Sequence, residues 1–515
     1  MPIEEQRLRI LFIYPHLGDG SRRMPETKRY FPWGPATVMS ALENDGHEVS
    51  VLDIYGLDLL PNEVERELKN LVFDCACISG FASYNYRYVC WLAKTIKECS
   101  RVPVVVGGIL ADLHYDLLLS KPSIDICVLG EGEITAVELF RNFPDIEDVR
   151  GIAYRREGRT RLNPPRELIA DLDTLPMPNF SLWPIQRYLR GNLWADDQTT
   201  KYEDFLGNLP TPDELTPNFS VFFGRGCPYR CRFCARSYQS IRHKSVDHMV
   251  EEITYLKDNF GVRAVHFYDE LVVLSRDLTL QLCEKVGSLG VYWDCQGRVN
   301  LVDRELMSAM KASKCYSLGF GFESGSDKML KAMNKRTTRK QNIEVLKAAR
   351  EVGMHLKIQL MCGYPGETRS TVRETVTMMK GSGLPPRRMS WATPLPGSEI
   401  YGDAVRQGKI GNEEEFLDLL GEKPMNEPGT VVLNVSGLSD QEMTRVYVDA
   451  HDAMERNFVL SQLLFRPRIA LSADYWRRFV SIFIRRPLAK IEWLRKLYHV
   501  VRRTASISHQ PDEAV

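Results

Sequence analysis

Ser220-Val221-Phe222-Phe223-Gly224-Arg225-Gly226-Cys227-Pro228-Tyr229-Arg230-Cys231-Arg232-Phe233-Cys234 runs from an apolar stretch through a glycine-flanked turn into three cysteines spaced C-x3-C-x2-C. The apolar stretch reads as a short buried strand, and the cysteines fall in the loop at its carboxyl end. In a parallel α/β barrel that end carries the chemistry. Three thiolates in one loop lie close enough to serve one metal centre, and soft sulfur ligands suit an iron–sulfur cluster or zinc. Arg225, Arg230, Arg232 and Arg236 surround them, and their charge is expected to lower the thiol pKa values and favour ligation. A cubane cluster normally takes four cysteines, so three leave one iron with an open position. The next cysteine is Cys283, on a predicted helix. A structural zinc site completed by His243 and three unligated thiols are the competing readings, although His243 does not stand at a usual zinc-pair spacing.

Downstream of the cysteines the pattern repeats. Strands are expected at Ala264–Tyr268, Val291–Cys295, Tyr316–Phe322, Leu356–Met361 and Met389–Ala392, separated by helices such as Asp247–Asn259, Arg276–Leu289, Thr338–Val352 and Thr371–Gly381. With Ser220–Phe223 this makes six strand–helix repeats, the pattern of a parallel barrel that need not close. The barrel is assigned to residues 218–400.

Upstream, residues 1–150 alternate apolar runs with amphipathic stretches. The expected strands are Leu8–Tyr14, Glu48–Asp53, Phe73–Ser79, Val102–Gly107 and Ile124–Leu129, with helices such as Pro35–Asn44 and Tyr84–Glu98. This is the pattern of a doubly wound, Rossmann-like parallel sheet, whose ligand crevice lies outside the carboxyl ends of its strands. Residues 151–217 hold prolines at 164, 165, 176, 178, 184, 210, 212 and 217 and read as a connector. Residues 401–515 read as mostly helical. Within them, eleven Lys/Arg stand against two acids between Ser461 and Gln510, interleaved with aromatic residues. The segment Phe465–Arg503 suits packing on the barrel, with peripheral contact to an anionic membrane as the alternative.

The whole chain has 515 residues and a formal net charge of zero, which argues against a general nucleic-acid binder. Of its twelve cysteines, those outside the cluster sit mostly in apolar runs and read as small core residues. No apolar run approaches the length needed to span a bilayer. The expected location is the cytoplasm, in a reducing environment.

Cys227, Cys231 and Cys234, with Phe233 before the third cysteine, resemble the signature of the radical S-adenosylmethionine superfamily. The likeness extends to Tyr268-Asp269-Glu270 after the second strand, Arg298 after the third, Gly321-Phe322-Glu323-Ser324-Gly325-Ser326, Gly363-Tyr364-Pro365-Gly366-Glu367-Thr368 and Thr393-Pro394-Leu395-Pro396-Gly397-Ser398. With the front domain and the stretch Asp171–Pro178, the chain resembles the cobalamin-binding branch. That branch includes radical C-methyltransferases and the anaerobic magnesium-protoporphyrin ester cyclase.

The resemblance implies three cofactors: a 4Fe–4S cluster on the three cysteines, S-adenosylmethionine and cobalamin. It implies S-adenosylmethionine contacts at Tyr229, Phe233, Asp269, Glu270, Arg298, Glu323, Ser324 and Gly363. Candidate cobalamin contacts are Tyr14, Pro15, Trp33, Gly34, Ser79, Gly80, Phe81, Gly107, Gly108, Gly130, Glu131 and Gly132, where glycine admits a bulky ligand close to backbone. The cobalamin-mutase motif D-x-H-x-x-G is absent: Asp112 and His114 match its first half, but Leu117 stands where glycine belongs. A histidine ligand to cobalt is therefore not assigned.

The implied activity is methyl transfer to an unactivated carbon of a small-molecule, lipid or tetrapyrrole substrate through a 5′-deoxyadenosyl radical. The implied electron donor is a flavodoxin or ferredoxin. Two alternatives stand beside it: a radical enzyme that cyclises, remodels rings or couples carbons without methylating, and an iron–sulfur scaffold or electron-transfer protein.

Overall fold

The computed structural model describes residues 7–16, 29–189, 209–236, 238, 240–380, 382, 384, 389–423, 431–465 and 473–485. The front sheet has seven strands: β1 Arg9–Tyr14, β2 Glu48–Asp53, β3 Cys75–Ser79, β4 Val104–Gly107, β5 Ile126–Val128, β6 Ile152–Arg156 and β7 Arg159–Leu162. They lie in the order β2-β1-β3-β4-β5-β6-β7. The first five are parallel, with near-continuous apolar runs such as Ile10–Tyr14, because helices cover both faces. The chain reverses between β1 and β3, which makes their carboxyl ends the topological switch point.

The last two strands correct the sequence-based boundary. β6 and β7 form an antiparallel hairpin on the edge of the front sheet, inside what reads as connector. Their turn is Glu157-Gly158, both with positive φ (51° and 75°), the geometry of a tight two-residue hairpin turn. Glu-Gly is a weak turn signal beside Asn-Gly, and the arginine-rich strands Ile152–Arg156 and Arg159–Leu162 lack an apolar alternation that would mark them. The connector proper begins after Leu162, and it is anchored: Phe180, Trp183, Tyr188 and Leu189 are all buried.

The second sheet has six parallel strands in the order β15-β14-β13-β12-β11-β8. These are β8 Asn218–Val221, β11 Ala264–Phe267, β12 Tyr292–Gly297, β13 Cys315–Glu323, β14 His355–Cys362 and β15 Met389–Trp391. A two-stranded ribbon, β9 Gly224–Arg225 and β10 Arg242–His243, brackets the cysteine loop. The sequential order with two open ends is a partial (β/α)6 barrel. Its helices start and stop on sequence signals: Ser245 and Thr338 cap Val246–Phe260 and Arg339–Val352, and Gly261 and Gly353 end them in the left-handed region.

An aromatic seam joins the two sheets. Phe31 packs on Trp33, Phe180, Trp183, Tyr188 and Phe219 with ring centroids 5.2–5.7 Å away. Trp33 Nε1 donates to the Ser220 carbonyl at 2.7 Å, and the Phe31 N–H to Ser220 Oγ at 3.2 Å. Burying each such ring contributes about 1.5–3 kcal/mol. The helix Glu413–Glu422 returns from the barrel onto the front domain, where Glu414 accepts from Tyr86 (2.9 Å) and Lys121 (2.6 Å). Asp440–Phe465 is a long helix beyond the barrel, and its Tyr447 stacks on Trp391 at 4.8 Å.

Most of the basic segment 465–503 lies outside the described residues. Within it, Ala473–Val480 is a helix whose Tyr475 is buried while Trp476 is exposed, as is Ile484 in the turn that follows. Among the described residues no helix is long and apolar enough to cross a membrane.

Candidate active site

The cysteine loop is tied down from both sides. Asp269, following β11, accepts from the backbone N–H groups of Phe223 (3.1 Å) and Gly224 at the base of the loop. Burial, opposed by these two bonds, lifts its carboxyl to about 7. Asp269 therefore shapes the loop from beneath. On the other side Arg225 reaches the front domain, with Nη1 2.7 Å from Glu131 Oε1 and Nη2 2.6 Å from Glu133 Oε1. Arg242 adds a contact to Glu131 Oε2 at 2.8 Å. Both glutamate side chains are more than nine-tenths buried, and a buried pair of this kind needs its full set of partners.

These pairings correct one expectation. Arg225 is neutralised by Glu131 and Glu133, and Arg232 by Glu399 (2.7 Å) and Asp403 (3.2 Å). Burial pushes the Cys234 thiol up to about 12 and raises that of Cys227 as well. Glu270 raises both further, and Arg236 is the one of the four arginines that lowers them. The arginines thus position the loop more than they acidify it.

Arg298, at the end of β12, lies inside the loop. Its guanidinium stacks on Tyr229 at 3.7 Å, and Nη1 is 3.9 Å from Cys231 Sγ. It is buried, yet Nε and Nη2 have no hydrogen-bond partner among the described residues. A buried guanidinium with two idle donors beside a cysteine fits a carboxylate or another anion brought in by a ligand. The ring of His243 sits on Phe223 (5.0 Å) and beside Gly224, which leaves the zinc reading without support. The residues present fit an iron–sulfur cluster, which Cys227, Cys231 and Cys234 would hold, and an anionic group of a bound S-adenosylmethionine, which Arg298 would meet.

The other candidates divide. Glu323 is held at φ 58° on a bulge of β13, and its carboxylate accepts from Lys335 at 2.8 Å. The Lys335 ammonium also faces the Phe233 ring at 5.7 Å. A non-glycine residue in this backbone region carries strain typical of functional positions. Ser324 is fully buried and bonds Thr375 and the Ser326 N–H. The Gly363 N–H donates to Glu367, whose carboxyl burial lifts to about 7. Ser324 and Gly363 shape the barrel loops from within.

In the front domain the crevice is narrower than the candidate set. Tyr14 is buried against Tyr55 and Trp183, Pro15 is also buried, Trp33 belongs to the aromatic seam, and Glu131 is paired with arginines. A Cβ on Gly80 would strike Leu110 and one on Gly108 the Gly80 carbonyl, so these two glycines serve chain packing. Ser79 is half-buried at the end of β3, and Gly132 opens the helix Gly132–Asn142 beside Val38. Gly34 and Gly130 face open space, Gly107 nearly so, and Phe81 and Ile109 stand exposed beside them. This bare backbone with an apolar lip fits a broad flat ligand such as a corrin. His114 turns away, its ring between Ser83 Oγ (3.1 Å) and Glu413 Oε1 (2.9 Å).

Sequence reasoning missed a polar network inside the barrel. Asp294 on β12 is contacted by His266 of β11, Tyr316 of β13 and Lys357 of β14 (3.1 Å for Lys357). Burial alone would raise the Asp294 carboxyl, but His266, Lys357 and Tyr316 hold it far below its usual range. A signal existed: Ser220, His266, Asp294 and Ser317 pair in register across four strands, so the same inward position is polar each time.

Comparison with known proteins agrees with this geometry. Residues 221–379 match the radical SAM superfamily, and residues 28–140 match the B12 binding domain. The chain thus carries a B12 binding domain followed by a radical SAM domain. It is 29% identical over 409 residues to an uncharacterised methyltransferase of Pyrococcus horikoshii, covering 77% of this chain and 83% of that protein. It is 27% identical to the anaerobic magnesium-protoporphyrin IX monomethyl ester cyclase of Rubrivivax gelatinosus, covering 80% and 71%. Its fold is shared with the radical S-adenosylmethionine methyltransferase TsrM of Kitasatospora setae, with a TM-score of 0.60 at 17% identity over 78% of this chain and 75% of that one.

Proposed function

We propose that this enzyme transfers a methyl group to an unactivated carbon of its substrate, in a chamber between the barrel and the front sheet. The observation that carries the reading is the double hold on one loop. Arg225, two residues before the first cysteine, is locked to the Gly130-Glu131-Gly132 turn, while Arg298 waits beside Cys231. The two cofactor-binding loops are thereby held next to each other. When bound, the cluster with S-adenosylmethionine supplies a 5′-deoxyadenosyl radical, and cobalamin supplies a transferable methyl group. Arg298 orients the carboxylate of S-adenosylmethionine. Glu323, supported by Lys335, accepts hydrogen bonds from hydroxyl groups. The aromatic seam closes the chamber from below and keeps water out.

The methyltransferases among the relatives support this reading, and the cyclase relative defines the alternative. An external electron donor such as a flavodoxin or ferredoxin belongs to it. So does a cytoplasmic location, with packing of 465–503 on the barrel as the first reading and peripheral membrane contact, which the basic, aromatic composition and the exposed Trp476 support, as its alternative. The test is anaerobic reconstitution with iron, sulfide and cobalamin, followed by product analysis. Methyl transfer yields both 5′-deoxyadenosine and S-adenosylhomocysteine; 5′-deoxyadenosine alone during substrate turnover sinks it in favour of the non-methylating reading.

A further inference from the structure

The inward face of the barrel is polar, where such interiors are ordinarily filled by Val, Ile and Leu. Its lowest layer is Ser220, His266, Asp294 and Ser317, in register across β8, β11, β12 and β13. Asp294 is there neutralised by Lys357, with His266 and Tyr316 completing its contacts. The next layer toward the mouth holds Tyr268, Gln296 and Gly319, with Gln296 and Gly319 in register. Gln359 stands opposite Gly321 one step further along. The opposite faces of the same strands carry Val265, Trp293, Phe320 and Ile358, which belong to the apolar core under the helices.

Gln296 and Gln359 distinguish this face from a mere structural network. Their side chains have no protein hydrogen-bond partner among the described residues, and Gln359 is exposed on the open side of the barrel. Between them β13 offers no side chain at Gly319, and the Gln296 chain leans over that gap, 3.5 Å from where a Cβ would stand. Each carboxamide brings two donors and an acceptor oxygen. On the front-domain side, Tyr30 covers the same face, its ring tilted against Tyr268 at 4.4 Å and 6.5 Å from His266.

We infer that the chamber takes an uncharged, hydrogen-bonding substrate group: a polyol, sugar or amide carrying the carbon to be modified. The inference rests on the methyl-transfer site proposed above and adds the class of substrate. A hydrocarbon would leave both carboxamides dry and unpaired. An anionic or cationic head would need a counter-charge, and the charges on this floor are already matched, Lys357 against Asp294. Arg298 faces the cysteine loop, where it would be engaged by the carboxylate of S-adenosylmethionine.

The test uses the full-length reconstituted enzyme with S-adenosylmethionine deuterated at its methyl group. A small-molecule extract of the organism that encodes the chain is divided into an organic phase, an aqueous fraction retained on ion exchangers and an aqueous neutral fraction. The neutral fraction is expected to accelerate 5′-deoxyadenosine formation. Acceleration by the organic or the ionic fraction instead, or by none, overturns the substrate class. The methyl label separates the two claims: acceleration by the neutral fraction without label keeps the class and sinks methyl transfer, whereas label confined to the organic phase does the reverse. With the active neutral compound purified, Gln359→Leu and Gln296→Leu are each expected to raise KM about tenfold, the loss of one hydrogen-bonded contact. An unchanged KM in both overturns the assignment of the carboxamides.

Discussion

Arg225 Nη1 lies 2.7 Å from Glu131 Oε1, so a residue that begins the cysteine loop is bonded to a turn of the other domain. The second glutamate, Glu133, takes the other guanidinium nitrogen at 2.6 Å. Glu131→Gln leaves Arg225 and Arg242 short of a charge. It is expected to lower stability by about 3 kcal/mol, the low end for a broken buried pair because Arg225 is partly exposed. Denaturant unfolding measures this. Hydrogen exchange should show the loss at residues 129–134 and 224–243, and unaltered protection in both stretches would contradict the clamp.

Arg298→Leu removes the idle guanidinium beside Cys231. Losing one hydrogen-bonded contact to a charged group is worth about 10–100-fold in affinity. The expected outcome is a rise of that size in the dissociation constant of S-adenosylmethionine, with cluster iron content retained. Arg298→Lys keeps charge without the planar fork and should restore only part of it. Equal binding in all three proteins would remove Arg298 from the site.

Each of Cys227→Ser, Cys231→Ser and Cys234→Ser is expected to lose the cluster and all cleavage of S-adenosylmethionine. Cys283→Ser, a substitution in a buried residue of the helix Arg276–Ser288, should keep both. Iron analysis and visible absorption after reconstitution decide between them.

The Asp269 carboxyl titrates near 7 in the folded protein because it is buried, against about 3.9 in an unfolded chain. Its folded-state pKa is raised, so the folded protein binds the proton more tightly. This contribution to stability is complete below about pH 4 and is lost as pH rises through 7. Asp269→Asn should flatten the fall in unfolding midpoint between about pH 5 and 7. An identical slope in the variant would show that other groups produce it.

Trp33→Ala opens the aromatic seam and removes the hydrogen bond to the Ser220 carbonyl. The cost expected for a large buried aromatic is about 3–5 kcal/mol. Because the seam joins the two sheets, limited proteolysis of the variant should release front-domain and barrel fragments that the parent protein withholds.

Local sequence determined most of the strands and helices and the candidate cluster ligands. Apolar runs, capping serines and threonines and the C-x3-C-x2-C spacing act within a few residues of themselves, and β2 falls at Glu48–Asp53 as read. Tertiary structure decided the partners. Glu131 reads as a cofactor contact from its glycine-rich turn, yet it is claimed by Arg225, 94 residues away. Trp33 is claimed by Ser220, 187 residues away. The hairpin β6–β7 is held by β5 along one edge rather than by an apolar pattern of its own. The polar floor around Asp294 exists only where four strands stand in register. Pairing across such distances depends on how the sheets pack, and no local pattern of residues encodes which buried charge will meet which.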